Sequence, residues 1–162
     1  QTKLLNETYE GFTRNGALLS DQDKEKLREI DQKMASLSPQ YSQNLLKATN
    51  AFSLNITDKD KVDGLPESVL ATAQEEAQNK KEEGWSFTLQ APSYIPFMKY
   101  MNDRSLREKM WKAYNSRAFS GETSNREICK QIAELRHKRA NLLGYKTHAH
   151  FVLEKRMAKN LI

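Results

Sequence analysis

Apolar residues recur at Leu27, Ile30, Met34, Leu37, Tyr41, Leu45, Ala48 and Phe52, in steps of three and four with polar residues between them. That spacing lays one continuous apolar stripe along a helix. Ser20 or Asp21 supplies the N-cap, and acidic residues fill the first turn, where the helix dipole favours them. Pro39 falls inside the stripe without shifting its phase. A proline removes one backbone donor and crowds the turn before it, so a kink or tight break between two collinear halves is expected.

Two short stretches switch to a period of two. Phe52, Leu54 and Ile56 alternate with Ser53, Asn55 and Thr57, and Trp85, Phe87 and Leu89 alternate with Ser86 and Thr88. Each reads as a half-buried strand, and each offers three large apolar side chains to its partner. A two-stranded ribbon is marginal alone, so its apolar face must rest on helices. The pattern does not encode whether the strands run parallel or antiparallel. Between them "GLPESVLATAQEEAQNKKEEG" reads as a helix with Pro66 near its start and Gly84 after its end. Pro92 and Pro96 read as a corner that turns the chain from the ribbon into the next helix.

The later chain is again helical. "SYIPFMKYMNDRSLREKMWKAYNSRAFSG" gives a short helix, a break near Asn102 and Asp103, and a longer helix burying Leu106, Met110, Ala113 and Tyr114. "SNREICKQIAELRHKRANLLGY" opens with Ser124 and Glu127 in capping-box spacing and closes on Gly144. "THAHFVLEKRMAKNLI" starts another helix at Thr147 and stops in mid-pattern, while "TKLLNETYEGF" reads as the tail of a helix. The expected fold is mainly α: an antiparallel, bundle-like array of helices with one small two-stranded β element (52–57 with 85–89). Both ends look cut, so residues 1–162 are expected to form a single helical segment of something larger.

Composition narrows the partners. The chain is 38% hydrophobic and 29% charged, and no apolar run approaches the roughly 20 residues that span a bilayer. No membrane partner is expected. The formal charge of +5 comes from 26 basic against 21 acidic residues, with Arg136, Lys138, Arg139, Lys146, Lys155 and Arg156 all late in the chain. Such a region can touch nucleic acid. These bases are interspersed with acids and lack an aromatic stacking platform, so they read as solvated helix surface, with no nucleic-acid partner. The single Cys129 excludes an internal disulfide and reads as a small core residue. No leader is visible, which points to the cytoplasm, with the periplasm as the alternative.

Candidate chemistry is sparse. His148 and His150 stand two apart; on a helix such positions point about 200° apart and cannot share a metal. His137, between Arg136 and Lys138, reads as a surface residue. Glu75 with Glu76, and Glu82 with Glu83, fall on exposed helix among lysines. There is no glycine-rich phosphate loop, no nucleophile elbow and no H-E-x-x-H in the sequence. The residues themselves therefore assign no catalytic, cofactor-binding or metal-binding position.

One family resemblance runs through these segments. "TRNGALLSDQDKEKLREIDQKMASLSPQYSQNLLKAT", "GLPES", "GWSFTLQAPSYIPFMKYMNDRSLREKMWKAYNSRA" and "LRHKRANLLGYKTHAHFVLEKRMAKN" resemble, in order, the thimet oligopeptidase and peptidyl-dipeptidase family of zinc metallopeptidases. The resemblance covers about residues 13–160. The short link "SGETSNREI" and "THAHFVLEKRMAKN" look closer to the bacterial peptidyl-dipeptidase branch than to oligopeptidase A. The resemblance implies a large helical enzyme with a deep channel. Such an enzyme releases dipeptides from the C-termini of short peptides at a zinc held by two histidines and a downstream glutamate. The glutamate of H-E-x-x-H serves as general base there.

Those residues lie beyond the matched region in the family, so none is carried over. The chain is thus expected to be channel wall and scaffold from the N-terminal half of its parent. By itself it should be inactive and bind no zinc. Its partners would be the remainder of its own chain and, in the parent, short peptides. Either self-association through a terminal helix bearing Phe151, Val152, Met157, Leu161 and Ile162, or mobile termini, is expected. A stand-alone helical interaction module and a basic nucleic-acid-binding domain are the rival readings.

Overall fold

A computed structural model describes residues 1–159, and among these helix dominates. Leu161 and Ile162 lie outside the described residues. The chain divides into two compact units, one of residues 1–41 together with the chain from 127 onward, the other of residues 42–126. The helix α2 (Asp21–Asn50) contributes residues to both.

In the first unit, α1 (Thr2–Arg14) ends in a tight turn at Gly16. A side chain at Gly16 would come within 2.6 Å of Leu27 and 3.3 Å of Leu143, which places this turn against α2 and the end of α6 (Arg126–Leu142). Ser20 caps α2 as expected, its hydroxyl accepting the Asp23 amide at 3.2 Å. The expected break at Pro39 is not there, and α2 runs through it. Proline forfeits one backbone bond, but the apolar stripe keeps its phase on either side, and packing of such a face supplies most of a helix's stability. The Ser38 hydroxyl donates to the Met34 carbonyl at 3.1 Å in the turn before it.

The helix after Gly144 is shorter than its sequence suggests. Thr147 caps α7, which covers only His148–Leu153. The next residues spend their side chains on distant partners. Glu154 accepts from Arg14, and Lys155 pairs with Glu10. Those contacts span 140 positions or more in the sequence, so local periodicity cannot announce them.

In the second unit, β1 (Ser53–Ile56) and β2 (Trp85–Thr88) pair antiparallel, with Leu54 opposite Phe87 and Ile56 opposite Trp85. Their apolar face meets Leu65, Leu89, Phe97, Met101 and Met110 in one core. Phe87 and Phe97 meet edge to face at a centroid distance of 4.8 Å. The opposite face of β2 is not solvated as strict alternation predicts. Ser86 is buried, because α3 (Glu67–Asn79) packs on β2. Its hydroxyl finds the Ser53 hydroxyl at 2.8 Å. Gly84 enters β2 at φ +86°, where a Cβ would stand 2.3 Å from the Ile56 carbonyl oxygen.

The corner reading of the two prolines is corrected. Pro92 sits in the first turn of α4 (Ala91–Tyr100) and Pro96 inside that helix. Proline suits the first turn, whose amides have no helical acceptor, and Pro96 follows close behind it. Asp103 caps α5 (Arg104–Asn115) at the expected break, accepting the Ser105 and Leu106 amides at 2.7 and 3.2 Å. Met110 is fully buried in α5, and Leu106, Ala113 and Tyr114 pack against the core.

Candidate functional site

The titratable candidates separate rather than converge. His137 is exposed on α6, as its charged neighbours implied. His148 and His150 both fall on α7. His150 Nδ1 lies 2.7 Å from the Thr147 hydroxyl, within the helix cap. His148 stacks on Phe151, and burial, with Arg136 and Arg139 adding to it, pushes its imidazole below the ordinary histidine pKa. Among the described residues, no three His, Cys, Asp or Glu side chains gather as a metal site, and this pair does not fit a zinc ion. Cys129 is exposed, which corrects its reading as core. Its neighbour Ile128 takes the buried position, and one residue along a helix is a turn of about 100°.

The late basic residues are not uniformly solvated. Arg139 donates to Asp31 at 2.8 Å and stands over the Phe151 ring. Arg14 does more. Its guanidinium bonds the Tyr145 hydroxyl at 3.3 Å, Glu154 at 2.7 Å and the Phe151 carbonyl at 2.6 Å. Burial opposes its charge, but the hydrogen bonds it donates to Tyr145 and Glu154 outweigh that and raise its pKa. Tyr145 and Arg14 in turn hold the Glu154 carboxyl below the usual carboxylate range. This clasp fastens the end of α1 to the segment after α6. Its role is structural.

The second unit carries a concave feature that sequence reasoning missed. A groove of about 580 Å³ runs along α3, floored by Thr49, Ala73 and Ser86. The rim comes from the end of α2, the end of β2 and the first turn of α4, with Asn50, Thr88, Gln90 and Ser93 among its residues. Glu76, one of the paired glutamates, lies in it bound to Lys80 at 3.0 Å. The only local signal was the run of serines and threonines on α3 and β2, which sequence alone does not place on one wall.

Comparison with known proteins shows what this chain resembles. Residues 97–161 match the model of peptidase family M3. Oligopeptidase A of Salmonella typhimurium is 37% identical over 99% of this chain, which covers 24% of that protein. The organellar oligopeptidase A of Arabidopsis thaliana is 40% identical over 88% of the chain and 19% of its own length. Dipeptidyl carboxypeptidase of Escherichia coli is 31% identical over 97% of the chain and 23% of its own length. The chain thus spans about a quarter of the length of the first of these relatives.

These identities correct the branch expectation, since oligopeptidase A matches at higher identity than the dipeptidyl carboxypeptidase. The short link and the segment after Thr147 do not carry a branch assignment. Matched by the family's model over residues 97–161 and by these proteins along nearly its whole length, the chain is similar to part of the proteins of peptidase family M3.

Proposed function

We propose that this chain is a wall and scaffold segment of a longer, zinc-dependent peptidase that acts on short peptides. The observation that carries the reading is the match of nearly the whole chain to about a quarter of oligopeptidase A. The metal, its ligands and the general base would then belong to the remainder of the parent chain, and that remainder is the segment's principal partner. What the segment contributes is shape: rigid helices that admit a narrow peptide and turn away a folded protein. The identities favour an oligopeptidase over an enzyme restricted to releasing dipeptides. Cytoplasmic placement of the parent accords with the name of one relative, a probable cytosolic oligopeptidase A of Arabidopsis thaliana, and no helix among the described residues is long and apolar enough to cross a membrane.

The test is to express the longer reading frame and follow the products from a short peptide and a folded protein by mass spectrometry. Chelator-sensitive cleavage of the peptide alone is expected. Release of dipeptides only, stepwise from the C-terminus, would return the parent to the dipeptidyl carboxypeptidase branch. No cleavage would overturn the peptidase reading.

A further inference from the structure

The groove along α3 has an uneven distribution of hydrogen-bonding groups. A hydroxyl carries one proton and two lone pairs. The Thr88 hydroxyl oxygen accepts the Gln90 amide at 3.4 Å, and the Ser93 hydroxyl oxygen accepts the Thr88 amide at 3.0 Å. Each therefore spends a lone pair on the backbone and keeps its proton to donate. The Gln90 side-chain amide donates to Asn50 Oδ1 at 2.6 Å, which leaves the Asn50 amide with both protons. Three donors thus stand together where β2 passes into α4. Along α3 the balance differs: the Thr72 hydroxyl donates to the Ser68 carbonyl at 3.1 Å and offers the groove lone pairs only. Glu76 and Lys80 neutralise each other.

The groove thus combines neutral donors (the Asn50 amide and the Thr88 and Ser93 hydroxyls) with neutral acceptors (the Gln90 side-chain carbonyl and the Thr72 hydroxyl oxygen), and its charges are paired. An ionic ligand would find no counter-charge there. A neutral chain with alternating carbonyl and amide groups would satisfy both kinds of partner. The floor residues are small, so side chains of many sizes would fit above them. We infer that this groove holds an extended peptide by its backbone, with carbonyl oxygens on Asn50, Thr88 and Ser93. It would be a docking track for peptide. The inference rests on the peptidase reading for its choice of ligand, while the volume of about 580 Å³ lies within the range of ordinary ligand pockets.

Titration of the isotopically labelled chain with a blocked alanine–glycine hexapeptide, followed through its backbone amide resonances, tests this. Maltotriose serves as a hydroxyl-rich control. Saturable shifts are expected at Asn50, Thr88, Gln90 and Ser93, with a dissociation constant on the order of 1 mM. Thr72→Trp, at an exposed position of α3, should fill the groove and weaken binding at least tenfold while the remaining spectrum is kept. If that variant does not fold, Ser68→Trp, also exposed on α3, replaces it. Absence of shifts up to about 5 mM peptide, shifts elsewhere, shifts that survive the tryptophan, or equal shifts with maltotriose would each overturn the inference. Peptide cleavage by the longer protein is a separate readout. Cleavage without groove shifts sinks the docking track alone, and groove shifts without cleavage sink the peptidase reading alone.

Discussion

Phe87 has 0% of its surface accessible and packs on Phe97 in the middle of the second unit's core. Phe87→Ala should cost about 3–5 kcal/mol, because a buried aromatic leaves a cavity that close-packed neighbours fill only in part. Urea unfolding measures it, and a loss under about 1 kcal/mol would contradict the burial. Glu154 carries a pH dependence of known sign. Its folded pKa is depressed, so its contribution is complete above the unfolded value of about 4.3 and is lost as pH falls through the lower folded value. Stability curves of the wild type and Glu154→Gln should therefore differ at neutral pH and converge in acid; a gap that widens in acid would reverse the assignment. Phe87 was legible from alternation alone. Glu154 was not, because its value derives from Tyr145, nine positions before it, and from Arg14, 140 positions away. Cys129 shows a third case, in which a correct helix was read with the wrong face.

At the scale of elements, local signals served where local chemistry decides. The cap at Ser20, the break at Asp103, the helix start at Thr147 and the pairing of the two period-two stretches all became what their spacing announced, although Ser86 on the polar face of β2 is buried. The expected corner did not, since Pro92 and Pro96 lie within α4, and no break interrupts α2 at Pro39. The groove stayed hidden because it joins four elements that only the fold brings together. α1 shows what a helix face alone can tell. Leu5, Tyr9 and Phe12 follow one another at helical spacing, yet they are 68%, 62% and 65% exposed. An apolar stripe left in water on one helix marks a covered surface, and the longer relatives supply chain enough to cover it. An exposed apolar face thus lies on α1, while in the terminal segment that sequence reading singled out Phe151 and Val152 are half-buried, Met157 is fully exposed, and Leu161 and Ile162 lie outside the described residues. The 162-residue chain alone should associate as its concentration rises, and Leu5→Ser with Phe12→Ser should abolish this. Light scattering decides, and a monodisperse monomer across the series would leave α1 without a partner to explain its face.

At the scale of the whole molecule, family and function came from different levels of reading. Kinship followed from the order of motifs over nearly the whole chain, which a family preserves even where each motif is weak by itself. Chemistry must come from side chains that converge. His148 and His150 lie two positions apart on a six-residue helix, so their rings cannot close on one ion, and no further ligand joins them among the described residues. A tetrahedral zinc site needs three or four ligands within about 2.0–2.3 Å of the metal. The isolated chain should accordingly retain no stoichiometric zinc after dialysis, and it should leave a fluorogenic peptide uncut. The discriminating control is the double variant His148→Ala with His150→Ala. Trace zinc or trace cleavage from a contaminant will be the same in wild type and variant, whereas activity that belongs to this chain will fall with the histidines. One zinc per chain, lost in the variant together with turnover, would place a reactive centre on α7 and remove the basis for reading the segment as scaffold.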